Sequence, residues 1–445
     1  MRGKFLKKLK GCWLALIVIS FVAGSLLWNV QAEEKNGKSR HGKEPELVFP
    51  VISDVHIKKS GTIDMQKFQD ALQQLNEQAP KQDAFVVVGD LTDNGLQEEY
   101  DRFFSLYDVK KQPQAVSLFA IGNHDYRNGL SEADAQKRFL AETRMESIYY
   151  HKVIKGCHFI ILGPESGLTE GYYSNEQINW LGEQLKQAEE DNPKKPIFVF
   201  LHQPIKNTVF GSGGSTEING ELLYHTIKNY PQVIAFSGHT HFPLDDLRTI
   251  HQKDFTSVGT SSVSYIWTGP GYLQGELPPG YQNISQGLIV EVYKNKVVIK
   301  RRDFHKHDWT GEPWEINYPV KDDEFDYTET RDQIKPFFPK DASISIAEEK
   351  TTASSLEIKF TQAVDNLLLH SYKVTAKEKE TGETVKEYKA FSEYYHDPVL
   401  ALLTLPVQGL KADTAYVIEV TALDAFGNES ENSLIIEAKT KVKQQ

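Results

Sequence analysis

Short apolar runs, each followed at once by a polar cluster, recur five times along the amino-terminal part of the chain. The runs are rich in Val, Ile and Phe and cover residues 48–52, 85–88, 118–121, 197–201 and 233–236. Runs of this length and composition are typical of buried β-strands. Between them lie stretches with helical periodicity, at about 64–79, 96–109, 131–143 and 174–190. This alternation predicts an α/β fold.

The polar clusters after these runs contain side chains that can bind metal or transfer protons. The side chains are Asp54, His56, Asp90, Asn123, His124, Asp125, His202, His239 and His241. Residues just past the carboxyl ends of the strands in such a sheet gather in one crevice. We therefore expect these nine side chains to meet in space, although they are far apart in the chain.

Seven of the nine are candidate metal ligands, and together they offer a mixture of oxygen and nitrogen atoms. They are Asp54, His56, Asp90, Asn123, His202, His239 and His241. A mixed set suits Zn, Mn, Fe or Co better than Mg or Ca, which prefer oxygen alone. Seven ligands are too many for one tetrahedral zinc ion. They fit two ions about 3.5–4 Å apart that share a carboxylate and a hydroxide. The expected cofactor is a pair of divalent transition-metal ions, with Mn, Fe and Zn all open.

The order of these clusters resembles that of the calcineurin-like metallophosphoesterases. The pattern D-x-H, G-D, G-N-H-D, H, G-H-x-H spans about residues 46–305 of this chain, and its first and third parts are most similar to those of the bacterial class III cyclic-nucleotide phosphodiesterases. The resemblance implies a sandwich of two sheets flanked by helices. It also implies two ligand sets that share Asp90. The first set is Asp54, His56, Asp90 and His241, and the second is Asp90, Asn123, His202 and His239.

The resemblance further implies a catalytic role for two residues that are not ligands. His124 would give a proton to the leaving oxygen while the shared hydroxide attacks phosphorus, and Asp125 would hold the His124 ring. Arg127 is a candidate phosphate contact, although a solvated surface arginine is the simpler interpretation.

The expected activity is hydrolysis of a small phosphodiester, such as a cyclic nucleotide. A phosphomonoesterase or nucleotidase is the alternative. A further alternative is a cell-wall adhesive protein whose metal centre only stabilises the fold. The proton donor His124 argues against that alternative, because a structural metal site needs no acid.

Residues 343–440 differ in character and read as short alternating strands, which predict a small all-β sandwich. Their end resembles a fibronectin type III domain, in which Tyr416 would form the tyrosine corner. Phe360 would replace the missing core tryptophan. Residues 306–342 lose periodicity and are predicted to be a linker, and 441–445 a short tail. We expect the module to fold by itself, as a spacer or a contact to a cell wall, so that its removal changes turnover little.

Residues 1–32 combine five basic residues, an apolar stretch at 12–28 and a small-residue site ending at Ala32. This pattern predicts a cleaved signal peptide, with a retained membrane anchor as the alternative. Residues 33–45 are predicted to be a disordered tether. Only Cys157 would remain in the secreted chain, which favours a bacterial cell surface. That chain would carry 45 basic and 61 acidic residues, a net charge of −16. Such a charge disfavours long nucleic acid. The expected partner is a small phosphate ester, and no required protein partner is evident.

Overall fold

The computed structural model of the chain describes residues 44–213, 218–321 and 324–443. The predicted signal peptide and nearly all of the predicted tether lie outside these residues. None of the helices within the described ranges has the length and apolar character needed to cross a membrane.

Two sheets pack face to face in the amino-terminal part. The strands of the first sheet run in the order β12 (Asp308–Trp309), β11 (Lys296–Asp303), β10 (Gln286–Tyr293), β1 (Leu47–Ile52), β2 (Ala84–Val88) and β3 (Val116–Ala120), with β13 (Trp314–Asn317) also paired to β11. The strands of the second run in the order β4 (Tyr150–Ile154), β5 (Cys157–Ile161), β6 (Ile197–Leu201), β7 (Val233–Ser237), β9 (Thr256–Gly259) and β8 (Ile250–Gln252). A buried aromatic cluster joins them, because Phe49 lies 4.9 Å, centroid to centroid, from both Phe159 and Phe198.

Helices cover the outer face of each sheet. The helices are α1 (Ile63–Gln78), α2 (Gln97–Lys110), α3 (Glu132–Thr143), α4 (Asn175–Asp191) and α5 (Gly220–Ile227). The first three pack on the first sheet, where Phe68, Phe103 and Phe139 are fully buried, and the last two pack on the second. The first four agree with the predicted helices to within one residue at each end. The predicted α/β sandwich is confirmed.

Within each sheet, the strands that precede the polar clusters are parallel to one another. β1 pairs in parallel with β2, and β2 with β3. In the second sheet β6 pairs in parallel with β5 and with β7. The carboxyl ends of these strands therefore lie along one edge of each sheet, which is the condition for the polar clusters to meet.

The segment 306–342 is only in part a linker, which corrects the sequence-based prediction. β13 extends the first sheet by pairing with β11, and its Trp314 is buried beneath the guanidinium of Arg301, 4.5 Å from the ring centroid. The α/β region thus continues beyond residue 305. Strands as short as β12 and β13 are too brief to show a periodic pattern in the sequence.

The carboxyl-terminal module is a sandwich of a three-stranded and a four-stranded sheet, as in fibronectin type III domains. The first sheet has the order β14 (Ile344–Ile346), β15 (Ser355–Thr361), β18 (Leu402–Gln408), and the second β17 (Thr384–Phe391), β16 (Leu369–Glu378), β19 (Ala415–Asp424), β20 (Leu434–Lys439). The backbone amide of Lys411 donates to the hydroxyl of Tyr416 at 2.8 Å, which confirms the tyrosine corner. Phe360 is fully buried, with its ring centroid 4.8 Å from that of Tyr372.

The module and the α/β region share a buried apolar cluster. Ile266 and Ile284 of the α/β region pack with Phe391, Tyr394 and Tyr395 of the module. The described residues from Pro45 onward accordingly form one compact unit. This shared cluster argues against the expectation that the module can be removed with little effect, which stays a prediction that deletion can test.

Phe391 provides a direct test of this shared cluster. We expect Phe391→Ala to destabilise the chain by about 3–5 kcal/mol, because the phenyl ring is fully buried. Deletion from Asp341 should lower soluble yield and turnover together. Thermal unfolding and turnover of a small phosphate ester measure both effects.

Ile435→Ala is the matched control for Phe391→Ala. Its side chain is 59% exposed on the same module, so the cost should stay within about 0.5 kcal/mol. A truncated protein that stays soluble and keeps turnover within about threefold would show that the module folds and acts apart from the α/β region.

Candidate metal centre

The five strand-end clusters converge in one buried crevice. Asp54 and His56 follow β1, and Asp90 follows β2. His202 follows β6 in the opposite sheet, while His239 and the neighbouring His241 follow β7. Asp54, His56 and His202 are fully buried.

The first expected ligand set is assembled around Asp54. Its Oδ1 lies 3.0 Å from His241 Nε2 and 3.9 Å from His56 Nε2. The two imidazole nitrogens are themselves 3.2 Å apart. His56 Nε2 is also 3.8 Å from Asp90 Oδ2. One oxygen or nitrogen from each of the four side chains therefore points at the same small volume.

The second expected set is assembled around His202. Its Nε2 lies 3.1 Å from Asp90 Oδ2 and 3.2 Å from Asn123 Oδ1. His239 Nδ1 is 3.2 Å from the same Asn123 oxygen. Asp90 reaches both sets, as a bridging ligand must. The structure brings all seven predicted ligands together.

The hydrogen bonds behind the histidines indicate that these atoms face a cation. His241 Nδ1 lies 2.9 Å from the carbonyl oxygen of Tyr265. A carbonyl can only accept, so Nδ1 carries the proton and the lone pair of the neutral ring is on Nε2. That lone pair faces the carboxylate of Asp54, which is also an acceptor. Two acceptors repel each other unless positive charge lies between them, so the donor set fits a metal ion.

His202 is arranged in the same way. Its Nδ1 lies 3.0 Å from the carbonyl oxygen of Val88, which leaves Nε2 facing Asp90. In the absence of an ion a proton can supply the positive charge. Burial alone would lower the pKa of His202, but the charges of Asp90 and Asp54 outweigh it and raise that pKa to about 9. Burial alone would raise the pKa of Asp54, but His241 and His202 lower it to about 2.

Five of the seven ligands have a left-handed backbone. Their φ angles are 52° at Asp54, 49° at His56, 51° at Asp90, 68° at His239 and 54° at His241. Non-glycine residues adopt this region rarely, and backbone strain of this kind clusters at functional sites. The left-handed turns redirect the chain at each strand end, so that side chains two residues apart can reach the same point.

Glycines next to the ligands leave room for this packing. A Cβ atom added to Gly122 would lie 2.1 Å from Asp90 Oδ1, and one added to Gly238 would lie 2.6 Å from Asp54 Oδ2. Real side-chain carbons do not approach so closely. The glycines of the motifs are therefore required by the close approach of ligands from neighbouring strands.

His124 lies beside the ligands but is held differently from the prediction. Its Nε2 is 4.0 Å from Asp90 Oδ2, and its ring centroid is 4.4 Å from that of His56. Its Nδ1 lies 2.8 Å from the carbonyl oxygen of Asp93. The backbone of Asp93 therefore orients the ring. Burial, with the neighbouring charges of His56 and Arg127, lowers the pKa of His124 to about 4 despite the opposing effect of Asp90.

The prediction that Asp125 holds the His124 ring is wrong. The buried carboxylate of Asp125 accepts from Thr92 Oγ1 at 2.8 Å, from Tyr100 at 3.2 Å and from the Gly122 amide at 3.0 Å. It therefore joins the loops after β2 and β3. Burial and the charge of Asp90 raise its pKa to about 6.

Asp93 is the residue that the sequence analysis missed. Besides its carbonyl contact to His124, its Oδ1 lies 3.5 Å from His56 Nδ1. A carboxylate behind a ligand histidine fixes the orientation of the ring. The only signal for Asp93 in the sequence was its place three residues after Asp90. Its carbonyl contact gives no signal, because every residue type has a carbonyl group.

Comparison with known proteins agrees with this geometry. Residues 48–243 match the calcineurin-like phosphoesterase family. A probable glycerophosphodiester phosphodiesterase of Arcobacter nitrofigilis is 29% identical over 207 residues, which are 44% of this chain and 72% of that protein. A 3′,5′-cyclic-nucleotide phosphodiesterase of a Nostoc species is 27% identical over 204 residues, which are 43% of this chain and 70% of that protein. The chain carries a calcineurin-like phosphoesterase domain. It is accordingly a metal-dependent phosphoesterase.

The comparison with solved structures also matched a fibronectin type III domain. The fibronectin type III domain of the human collagen alpha-1(XX) chain matches 26% of this chain and 92% of its own length, with 15% identity and a TM-score of 0.19.

Arg127 and Tyr265 lie beside the phosphoesterase site. Arg127 is exposed, with Nη1 3.2 Å from His124 Nδ1, so its role as a phosphate contact stays a prediction. The Tyr265 ring centroid lies 4.6 Å from that of His241. Beside it is a groove of about 380 Å³ lined in part by Lys58 and Lys67.

Metal content tests the two ligand sets. We expect about two transition-metal ions per chain after reconstitution, measured by elemental analysis. Asp90→Ala should lose both ions because both sets use this carboxylate. Asp54→Ala should lose one ion and keep the other.

His305→Ala is the control for these variants, because His305 is exposed and lies outside the cluster. It should keep the metal content of the unmodified protein. One ion or none in the unmodified protein would rule out the two-ion arrangement, and two ions retained by Asp90→Ala would rule out the bridge.

Proposed function

We propose that this chain hydrolyses a small phosphodiester, with His124 as the general acid. The observation that carries the proposal is the position of His124. Its ring stands next to the shared ligand Asp90, and the Asp93 carbonyl holds its Nδ1. A metal centre that served only stability would need no titratable side chain so placed. The similar proteins named above, which are phosphodiesterases, support the same reaction class.

Two metal ions bound to the seven ligands would activate a water molecule for attack on phosphorus and neutralise charge on the phosphate oxygens. The protein itself supplies orientation and a proton. With Nδ1 engaged by Asp93, the His124 Nε2 is the nitrogen on the side of the ligands. A proton there can pass to the leaving oxygen. The negative charge of a bound phosphate favours the protonated ring and so opposes the effect of burial.

The groove beside Tyr265 supports a diester over a monoester. It offers about 380 Å³ beside Tyr265, whose ring contacts the ligand His241, and this is room for one organic group of a small substrate. Lys58 is exposed there and can contact a negatively charged group. Lys67 instead donates to backbone carbonyls, including that of Gln282 at 2.5 Å, and so shapes the wall.

The leaving-group dependence of His124→Ala tests this function. A general acid contributes about 10² to 10⁴ in rate, and most where the leaving oxygen is strongly basic. We expect His124→Ala to lower hydrolysis of alkyl or nucleotide diesters by that factor and to affect nitrophenyl esters far less. Turnover should be compared on cyclic nucleotides, glycerophosphodiesters and phosphomonoesters, with Mn, Fe and Zn in turn.

His305→Ala is again the control and should match the unmodified protein on every substrate. Equal losses on both kinds of ester would show that His124 binds phosphate and donates no proton. Loss of a metal ion from His124→Ala would show that it is a ligand. Faster turnover of monoesters than of diesters would favour the phosphomonoesterase or nucleotidase alternative.

We also propose that the protein is secreted by a bacterium and works at the cell surface. The charge and apolar pattern of residues 1–32 supports this, and the carboxyl-terminal module could contact the wall. The mature protein should begin at Glu33, which amino-terminal sequencing of the exported chain can measure. An intact Met1 on exported protein would favour the membrane anchor, and retention in the cytoplasm would contradict secretion.

A further inference from the structure

Three carboxylates meet where the carboxyl-terminal module joins the chain that leads into it. Asp332 lies between β13 and β14, Asp365 lies between β15 and β16, and Asp424 ends β19. Each offers an oxygen within 4.8 Å of an oxygen of the other two. Asp332 and Asp424 are both 3% exposed. Three acidic groups thus come from three separate segments to one place, where Asp332 and Asp424 are buried and Asp365 is partly exposed.

The hydrogen bonds around these carboxylates leave two buried oxygens without a partner. Asp424 is satisfied, because its two oxygens accept from Phe426 N and from both nitrogens of Asn428. Asp332 Oδ2 and Asp365 Oδ1 accept no hydrogen bond from any described residue. The Asp332 side chain is almost wholly buried, and a carboxylate oxygen in that position needs a positive or hydrogen-bonding partner.

No ion pair joins a basic side chain of the described ranges to these three carboxylates, although the charge of Arg331 acts on Asp332. Arg331 is adjacent in sequence, but its guanidinium donates to the carbonyls of Leu247 and Ile250. Burial and the charges of Asp332 and Asp424 raise the pKa of Asp365. Like charges that are held together, two of them buried, with so little compensating charge are costly, so the arrangement calls for a cation.

We propose that Asp332, Asp365 and Asp424 bind one Ca²⁺ ion. The side chains offer oxygen alone, which suits a hard cation and not the transition metals expected at the catalytic centre. Ca²⁺ accepts oxygens at about 2.3–2.6 Å in flexible geometry, so carboxylate oxygens up to 4.8 Å apart can share one ion. Mg²⁺ requires shorter bonds and a stricter octahedron.

The position of the site gives the ion a structural role. Asp365 and Asp424 belong to the module, whereas Asp332 belongs to the segment that Arg331 fastens to the phosphoesterase domain. A Ca²⁺ ion there would tie the module to this segment at a second point, apart from the apolar cluster around Phe391. It would also remove the repulsion that the three carboxylates otherwise impose on the joint.

Calorimetric titration of Ca²⁺ into the metal-depleted full chain tests the site directly. We expect one bound Ca²⁺ with a Kd of about 10⁻³ M or tighter. Asp365→Asn should abolish this binding, while Glu380→Gln, an exposed acid on the same module, should preserve it. Asp54→Ala should also preserve it, which separates the site from the catalytic centre.

Thermal unfolding provides a second test, because the unfolding temperatures of Asp365→Asn and the unmodified protein should compare differently without and with Ca²⁺. Without Ca²⁺, Asp365→Asn should melt at or above the temperature of the unmodified protein, because one like charge is gone. With about 10 mM Ca²⁺ the unfolding temperature of the unmodified protein should rise by several degrees, and that of the variant should not. Asp332→Asn should behave in the same way, so the test stands if Asp365→Asn does not fold. Absence of binding by the unmodified protein would overturn the proposal, as would equal Ca²⁺ responses of that protein and both Asn variants.

Discussion

The fold of this protein is organised around a concentration of electron-pair donors that face each other in a buried crevice. Asp90 Oδ2 lies 3.1 Å from His202 Nε2, and Asp54 Oδ1 lies 3.0 Å from His241 Nε2. Most of these atoms can only accept hydrogen bonds. In water such groups would separate. Here positive charge must hold them, either as protons on histidine, as the raised pKa of His202 shows, or as metal ions. The rest of the architecture positions these groups against their mutual repulsion.

That requirement explains the backbone at the crevice. Side chains two residues apart on a plain strand share a face but lie about 6.6 Å apart along it, so a turn is needed to bring both to one ion. The left-handed residues at Asp54, His56 and Asp90 provide such turns, and the glycines beside them let the strands approach. The strain is tolerated because the parallel pairing of β1, β2 and β3 and the packed aromatic core behind them hold the strand ends in place.

How much of the structure could be predicted from the sequence depends on whether an interaction requires particular residue types. Strands and ligand positions were predictable, because burial and ligand chemistry leave residue types in a set order along the chain. The group that orients the His124 ring was not predictable. It is the backbone carbonyl of Asp93, and a backbone carbonyl is present in every residue. β17 is difficult to predict from the sequence, because four of its eight residues are exposed and its burial does not alternate regularly. The contact between module and phosphoesterase domain was missed for another reason. Phe391 and Tyr394 look like ordinary core residues of a sandwich, and only the structure shows that they face outward onto Ile266.

A loop that contacts both the metal centre and the module connects the two. Residues 264–284 begin beside the ligands, where the Tyr265 carbonyl holds His241 Nδ1 and the Trp267 amide donates to the His241 carbonyl at 3.1 Å. The same loop then runs to the module, where the ring centroid of Tyr272 stacks 3.9 Å from that of Phe391. The carbonyl that orients a ligand thus belongs to a segment whose far end is packed by the module. Contacts behind a metal ligand typically change metal affinity by about 10- to 100-fold. A fibronectin-like sandwich with no ligand of the catalytic centre can therefore support catalysis by holding that loop in place.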